Sequence, residues 1–152
     1  MSMINDIALH IMSCLDSSWQ LGINVFIGHL PLKDMNGAEV GERLICILER
    51  TPGEVDGYIA DYAAKNIQVW NQARDYPTAS ADANELFECL HGEAGVDLPA
   101  SDSPSRYLAM SIDAIGTPAP IANPNPEGLI EFSTNYVFRI ERNPTASRIL
   151  ND

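Results

Sequence analysis

Basic charge is what this sequence has least of. Nine Lys and Arg stand against 21 Asp and Glu, a formal net charge of −12 over 152 residues. Proteins that grip nucleic acid draw affinity from phosphates neutralised by clustered Lys and Arg. No such cluster occurs, which argues against stable DNA binding, and a solvated, self-repelling acidic surface is the simplest use of the charge. No apolar run approaches the roughly 20 residues that a membrane-spanning helix needs, so no membrane partner is expected. The opening MSMINDIALHIM has neither a basic n-region nor an apolar h-region, which predicts synthesis in the cytoplasm without a secretory signal.

Signatures of chemistry are missing as well. His10, His29 and His91 occur singly, outside any HExxH pattern, and no His or Cys stands out at zinc spacing. His91 falls at the end of a helical pattern, where an imidazolium would suit the helix dipole. There is no GxGxxG or GxxxxGKS/T to cradle a phosphate, and no GxSxG elbow for a nucleophile. Acidic stretches such as DANE lack the spacing of a calcium loop. The chain is therefore read as non-enzymatic, with no cofactor and no metal. Its three cysteines, Cys14, Cys46 and Cys89, lie far apart in apolar-patterned segments. A disulfide framework would need an even, clustered set, so all three are expected to be buried small hydrophobes.

What is abundant is alternation. From Leu129 to Arg142, Ile130, Phe132, Thr134, Tyr136, Phe138 and Ile140 share one side of an extended chain. Glu131, Ser133, Asn135, Arg139 and Glu141 share the other, with Val137 out of pattern. Period two over this length predicts a long strand with one buried face, long enough to reach beyond the core of its own subunit. Arg43–Arg50 is apolar on both faces, with Leu44, Cys46 and Leu48 on one and Ile45 and Ile47 on the other. A strand covered on both sides reads this way, and a neighbouring subunit could provide the second cover; a short buried helix has the same pattern. Asn66–Arg74 returns as a strand, carrying Trp70 on a polar face with Gln68, Gln72 and Arg74. Trp70 there is either an anchor between subunits or an intrachain packing residue.

Helical spacing over residues 3–16 and Pro77–Leu90 predicts two amphipathic helices, with Ser2 as a plausible N-cap and Gly92 able to end the second. Ile23–Gly28 and Tyr107–Asp113 read as shorter strands, the latter with Leu108, Met110 and Ile112 inward. Thr51–Tyr62 reads as the long loop of a hairpin, and residues 92–105 as a further loop. Pro118, Pro120, Pro124 and Pro126 stiffen a proline-rich arm at 116–127, and a polar tail follows at 143–152. The order α–β–β–β–α–β–β predicts a single α+β domain over 1–152. Its sheet is mixed and mainly antiparallel, with two helices packed on one face.

Three stretches together resemble the tail-terminator proteins of long-tailed bacteriophages, a group often described as minor capsid or tail-completion proteins. They are INVFIGHLP (Ile23–Pro31), IQVWNQARDYPTASADANELFECL (Ile67–Leu90) and GLIEFSTNYVFRIER (Gly128–Arg142). The resemblance implies a subunit that closes into a homohexameric ring at the head-proximal end of the tail tube. Such a ring stops tube polymerisation and lets the head connector or stopper dock. It further implies a virion protein whose partners are its own copies, the tail tube protein, the neck protein and, in a contractile tail, the sheath. DNA would pass through its channel without specific binding. The turn after RLICILER departs from the group's glycine-rich form, and the proline-rich arm is longer.

Ring closure needs heterologous contacts between copies. Ile45, Ile47, Trp70, Arg74, Arg139 and Arg142 are the candidate interface residues. Glu49, Glu54, Asp56 and Asp61 are the acidic candidates facing the channel or the tube, where repulsion would let DNA slide. Two competing readings remain at this point: another neck component, such as a head-completion or stopper protein, and an acidic host-directed regulator that mimics nucleic acid.

Overall fold

The computed structural model describes residues 3–50, 54–55 (backbone only), 62–99, 107–121 and 124–142. Ile7, Ala8 and Ile11 recur on one stripe of helix α1 (Met3–Ser13), and all three are buried. The helix stops earlier than its apolar pattern. Cys14 and Leu15 donate their N–H groups to Ile11 and Met12 in tight terminal turns, and the chain then carries Trp19 into the core. Strands β1 (Val25–Ile27), β2 (Leu44–Glu49), β3 (Glu54–Val55) and β4 (Tyr62–Ala73) follow. Helix α2 (Tyr76–Leu90) leads into β5 (Glu93–Asp97), β6 (Tyr107–Ala114), β7 (Ala119–Pro120) and β8 (Ile130–Arg142).

All eight strands form one sheet in the order β1-β2-β4-β8-β6-β5, with β3 added to β4 and β7 to β8. Only β1 runs parallel to its neighbour, so the sheet is mixed and mainly antiparallel, in an α+β layering. The stripe expected on β8 is the buried one: Phe132, Thr134, Tyr136, Phe138 and Ile140 all face inward. Ile67 and Val69 of β4 join them, as do Ile45 and Ile47 of β2. Both helices lie over this face. α1 contributes Ile7, Ala8 and Ile11, and α2 contributes Leu86 and Leu90, while Ala79 and Ala83 sit over Ala73 and Phe132. Burying a large aliphatic or aromatic side chain is worth about 1.5–3 kcal/mol, so this single layer carries most of the stability.

Four expectations change. Residues 92–105 do not begin as a loop: Glu93–Asp97 pairs with β6 as an edge strand. On β6, neither Leu108 nor Met110 faces inward: Leu108 pairs with Glu141 on the helix-free face and Met110 is 43% exposed, whereas Ala109, opposite Ile140, is buried. The register against β8 slips between Ala109 and Ser111, so Met110 is the extra residue of a bulge and the alternation restarts after it. The proline-rich stretch lies back along β8. Ala119 and Pro120 pair with Ser133 and Phe132, and the Asn125 side chain accepts from the N–H groups of Glu127 and Leu129. Finally, β8 has no free edge along most of its length, because β4 flanks one side while β7 and β6 flank the other. The sheet's outer edges belong to β1 and β5.

Candidate functional site

Strand alternation sends the other half of the side chains to the helix-free face of the sheet. β4 places Gln68, Trp70 and Gln72 there, β8 places Glu131, Ser133, Asn135 and Arg139, and β6 adds Ser111 and Asp113. The central part is polar and internally bonded. Gln68 Nε2 donates to Ser133 Oγ at 2.6 Å, and Arg139 Nη1 donates to Asp113 Oδ2 at 2.8 Å and Ser111 Oγ at 3.4 Å. Toward β1 the same face turns apolar: Phe26, Leu44 and Cys46 are buried, with Val40, Leu48 and Trp70 packed partly against them. Burial pushes the Cys46 thiol up to about 11.

These contacts sort the interface candidates. Ile45 and Ile47 are both 0% exposed and lie in the chain's own core with Ile7, Ala8 and Ile11 of α1, so they have no surface to offer a neighbour. The reason is the register: they alternate onto the helix-covered face, and the apolar residues on the open face are Leu44, Cys46 and Leu48. Trp70 is half-buried against that cluster. Arg74 is mostly exposed and forms a two-pronged ion pair with Glu42, whose carboxyl it holds below the usual range. Arg139 is half-exposed in its pair with Asp113, and Arg142 is exposed at the end of β8.

Of the acidic candidates, Glu49 ends β2 on the surface and accepts from Lys65 Nζ at 2.6 Å. Glu54 is placed by its backbone, which pairs with Ala64. Asp56 and Asp61 lie outside the described residues, as does the polar tail.

Alternation could not reveal the most exposed apolar group. Leu30, Leu32 and Met35 stand on the loop between β1 and β2, with Leu32 94% and Met35 71% exposed. Next to them is a cleft of about 270 Å³ lined by Phe26, Ile27, Pro31 and Met35 among others. Gly22 anchors this loop: at φ +86° it donates to the Val25 carbonyl and accepts from the Met35 N–H. Only the apolar content of LPLKDM hinted at it in the sequence. A second exposed pair, Ile115 and Ile121, flanks β7. Surface-exposed leucines gathered on one loop are a common mark of a contact site.

The rigid support behind this end of the sheet is a half-buried ion pair. Asp82 of α2 is 2% exposed and accepts from Arg43 Nε at 2.8 Å and Nη2 at 2.6 Å, while the guanidinium lies 5.0 Å over the Trp19 ring. The cysteines divide. Cys46 is a buried free thiol, as its pattern suggested, but Cys14 and Cys89 are joined in a disulfide. Seventy-five residues separate them, and only the side-by-side seating of α1 and α2 brings them together. His91 caps α2 by stacking on Phe87, and its Nδ1 accepts the Ala114 N–H.

Among the described residues no helix is long and apolar enough to cross a membrane. A family model described as bacteriophage tail terminator protein matches residues 11–142, from the core stripe of α1 to the end of β8. No curated protein matches the chain significantly.

Proposed function

The chain therefore belongs to the bacteriophage tail terminator family, and on that premise we propose that its copies close into a hexameric ring at the head-proximal end of the tail tube. The ring ends tube polymerisation and presents the surface on which the head connector or stopper docks. The observation that carries this reading is the family match over nearly the whole fold. Two surface features support it.

A ring needs two different patches that meet head to tail. The exposed Leu30, Leu32 and Met35 beyond β1 provide one apolar patch, next to Phe26, Val40 and Leu44 of the neighbouring apolar cluster. Ile115 and Ile121 beside β7 provide a second, several strand positions away. In this reading Arg74, beside Glu42, and Arg139 and Arg142 on β8 supply polar contacts between copies. The strong negative charge suits a passage through which phosphate-bearing DNA must slide, because like charges do not adhere. In this reading the loop after β2, with Glu54, Asp56 and Asp61, faces the channel or the tube. The protein's work is structural, with no turnover reaction.

The deciding measurement is the particle mass at low and high salt, with negative-stain images. Hexameric rings that bind the ends of purified tail tubes support the proposal. A monomer or dimer that binds neither tubes nor connectors refutes it, as does co-purification with capsids in place of tails. For the channel loop, Asp56→Lys with Asp61→Lys is expected to slow DNA ejection or impair joining. Normal ejection and joining remove that role.

A further inference from the structure

Four metal-binding side chains outside the proposed contacts meet where the end of α1 approaches the end of α2. His10 and Cys14 stand four residues apart, a spacing that stacks them on one side of a helix and its first following turn. Cys89 lies in the last turn of α2, and Glu93 opens β5, where its register opposite Ile112 turns it to the helix-covered face. The two sulfurs and a Glu93 carboxylate oxygen lie within 4.8 Å of one another. His10 Nε2 lies 2.9 Å from Glu93 Oε1, fixing that carboxylate from behind. The His10 side chain is 8% exposed, whereas Cys89 is partly exposed, so an ion can enter from the surface and meet a buried, oriented back wall.

Two thiolates and a carboxylate, with an imidazole bonded to the carboxylate, form a donor set suited to zinc. Calcium and magnesium take oxygen ligands, and thiolates select softer ions. Zinc takes four ligands at about 2.0–2.3 Å, and an open fourth position is filled by water. An outer group that orients a ligating side chain is a regular part of such sites. We propose that Cys14, Cys89 and Glu93 bind a zinc ion when the disulfide is reduced, with His10 as the positioning residue for Glu93.

The two states exclude each other. A dithiol reductant breaks the Cys14–Cys89 bond, delivering two electrons and two protons to the sulfurs and leaving as its own disulfide. Zinc then displaces both thiol protons to solvent and forms two Zn–S bonds and one Zn–O bond. Either way, α1 and α2 stay tied at the same point. Disulfides persist in oxidising surroundings and are rare in reducing ones, so the metal would hold the helices where the covalent bond cannot.

The test uses the full chain, reduced and held without oxygen, titrated with Zn²⁺ by calorimetry and with Co²⁺ as an optical probe. One ion per chain is expected, with release of two protons and a thiolate-to-cobalt charge-transfer band. Cys89→Ser should abolish that band. His10→Gln should weaken zinc by about tenfold to a hundredfold and Glu93→Gln, which removes a ligand, by at least as much, yet both should still form the disulfide on oxidation, which shows that they fold. Cys46→Ser should bind as the parent does. Absence of stoichiometric binding by the reduced parent overturns the proposal. So does parent-like affinity in Glu93→Gln, or equal binding by the oxidised protein. None of these outcomes depends on whether rings form.

Discussion

Replacing Arg43 with methionine isolates the cost of leaving one buried charge alone. The substitution keeps an aliphatic stem near Trp19 but removes both hydrogen bonds to Asp82, whose side chain is 3% exposed. Breaking a buried pair by deleting one partner typically costs about 3–5 kcal/mol, because the remaining charge has neither water nor counter-ion. The Arg43 side chain is 52% exposed, so water reaches part of the vacated space. The lower end of the range applies, about 3 kcal/mol. For a chain of this size each kcal/mol moves the melting midpoint by roughly 2–4 °C, so Tm should fall by about 6–12 °C. Thermal melts at neutral pH read this directly. Adding Asp82→Leu to Arg43→Met removes the stranded carboxylate and should recover most of the loss. If the single variant melts like the parent, or the double variant melts as low as the single, the Arg43–Asp82 pair does not hold α2 against the sheet.

Cys46 makes stability fall at alkaline pH. Its folded-state pKa is raised to about 11 by burial, above the ordinary value of 9.0, so the unfolded chain loses the proton first. The contribution is complete below pH 9 and declines as pH rises toward 11, by about 2–3 kcal/mol in all. Cys46→Val should show a smaller drop in urea midpoint over that window, and an equal drop rejects the assignment. Gly22→Ala forces a Cβ onto a residue at φ +86°, with Met35 Sδ 2.9 Å from it. The thioether can swing aside, so the left-handed backbone sets the penalty at about 1–2 kcal/mol; an unchanged urea midpoint contradicts that. Leu32→Asp should leave Tm unchanged, because the side chain is 94% exposed, and should shift sedimentation from ring to single subunit. Rings that persist exclude Leu32 from the contact.

Elements with one buried face could be read from sequence, and elements defined by their neighbours could not. The β8 stripe was legible because thirteen residues alternate against a continuous core. Both helices were legible because Ile7, Ala8 and Ile11, or Leu86 and Leu90, repeat at helical spacing. EAGVD was not, since Glu93, Gly95 and Asp97 are poor strand formers and pairing with β6 alone makes them extended. Alternation cannot say where an extra residue enters, so Leu108, Met110 and Ile112 were grouped inside, whereas the bulge at Met110 brings only Ile112 onto the face of Ala109. The doubly apolar pattern of β2 was read as a strand covered on both faces or a short buried helix; it is a strand, and the pattern does not say what supplies each cover. α1 claims Ile45 and Ile47, and the open face keeps Leu48 and Trp70. The Cys14–Cys89 pairing depends on helix seating across 75 residues, a distance over which sequence spacing is silent.

The position of β8 also fixes the order in which the molecule can come into being. β1, β2 and β4 form one wing and β5 with β6 another, and β8 is the strand between them. Closing such distant pairings costs chain entropy before any contact repays it. A polypeptide still emerging from the ribosome therefore holds two unfinished wings, and they fuse only when residue 142 is free. An unfinished chain thus lacks the strand that joins its two wings, and topology alone keeps its sheet in two pieces.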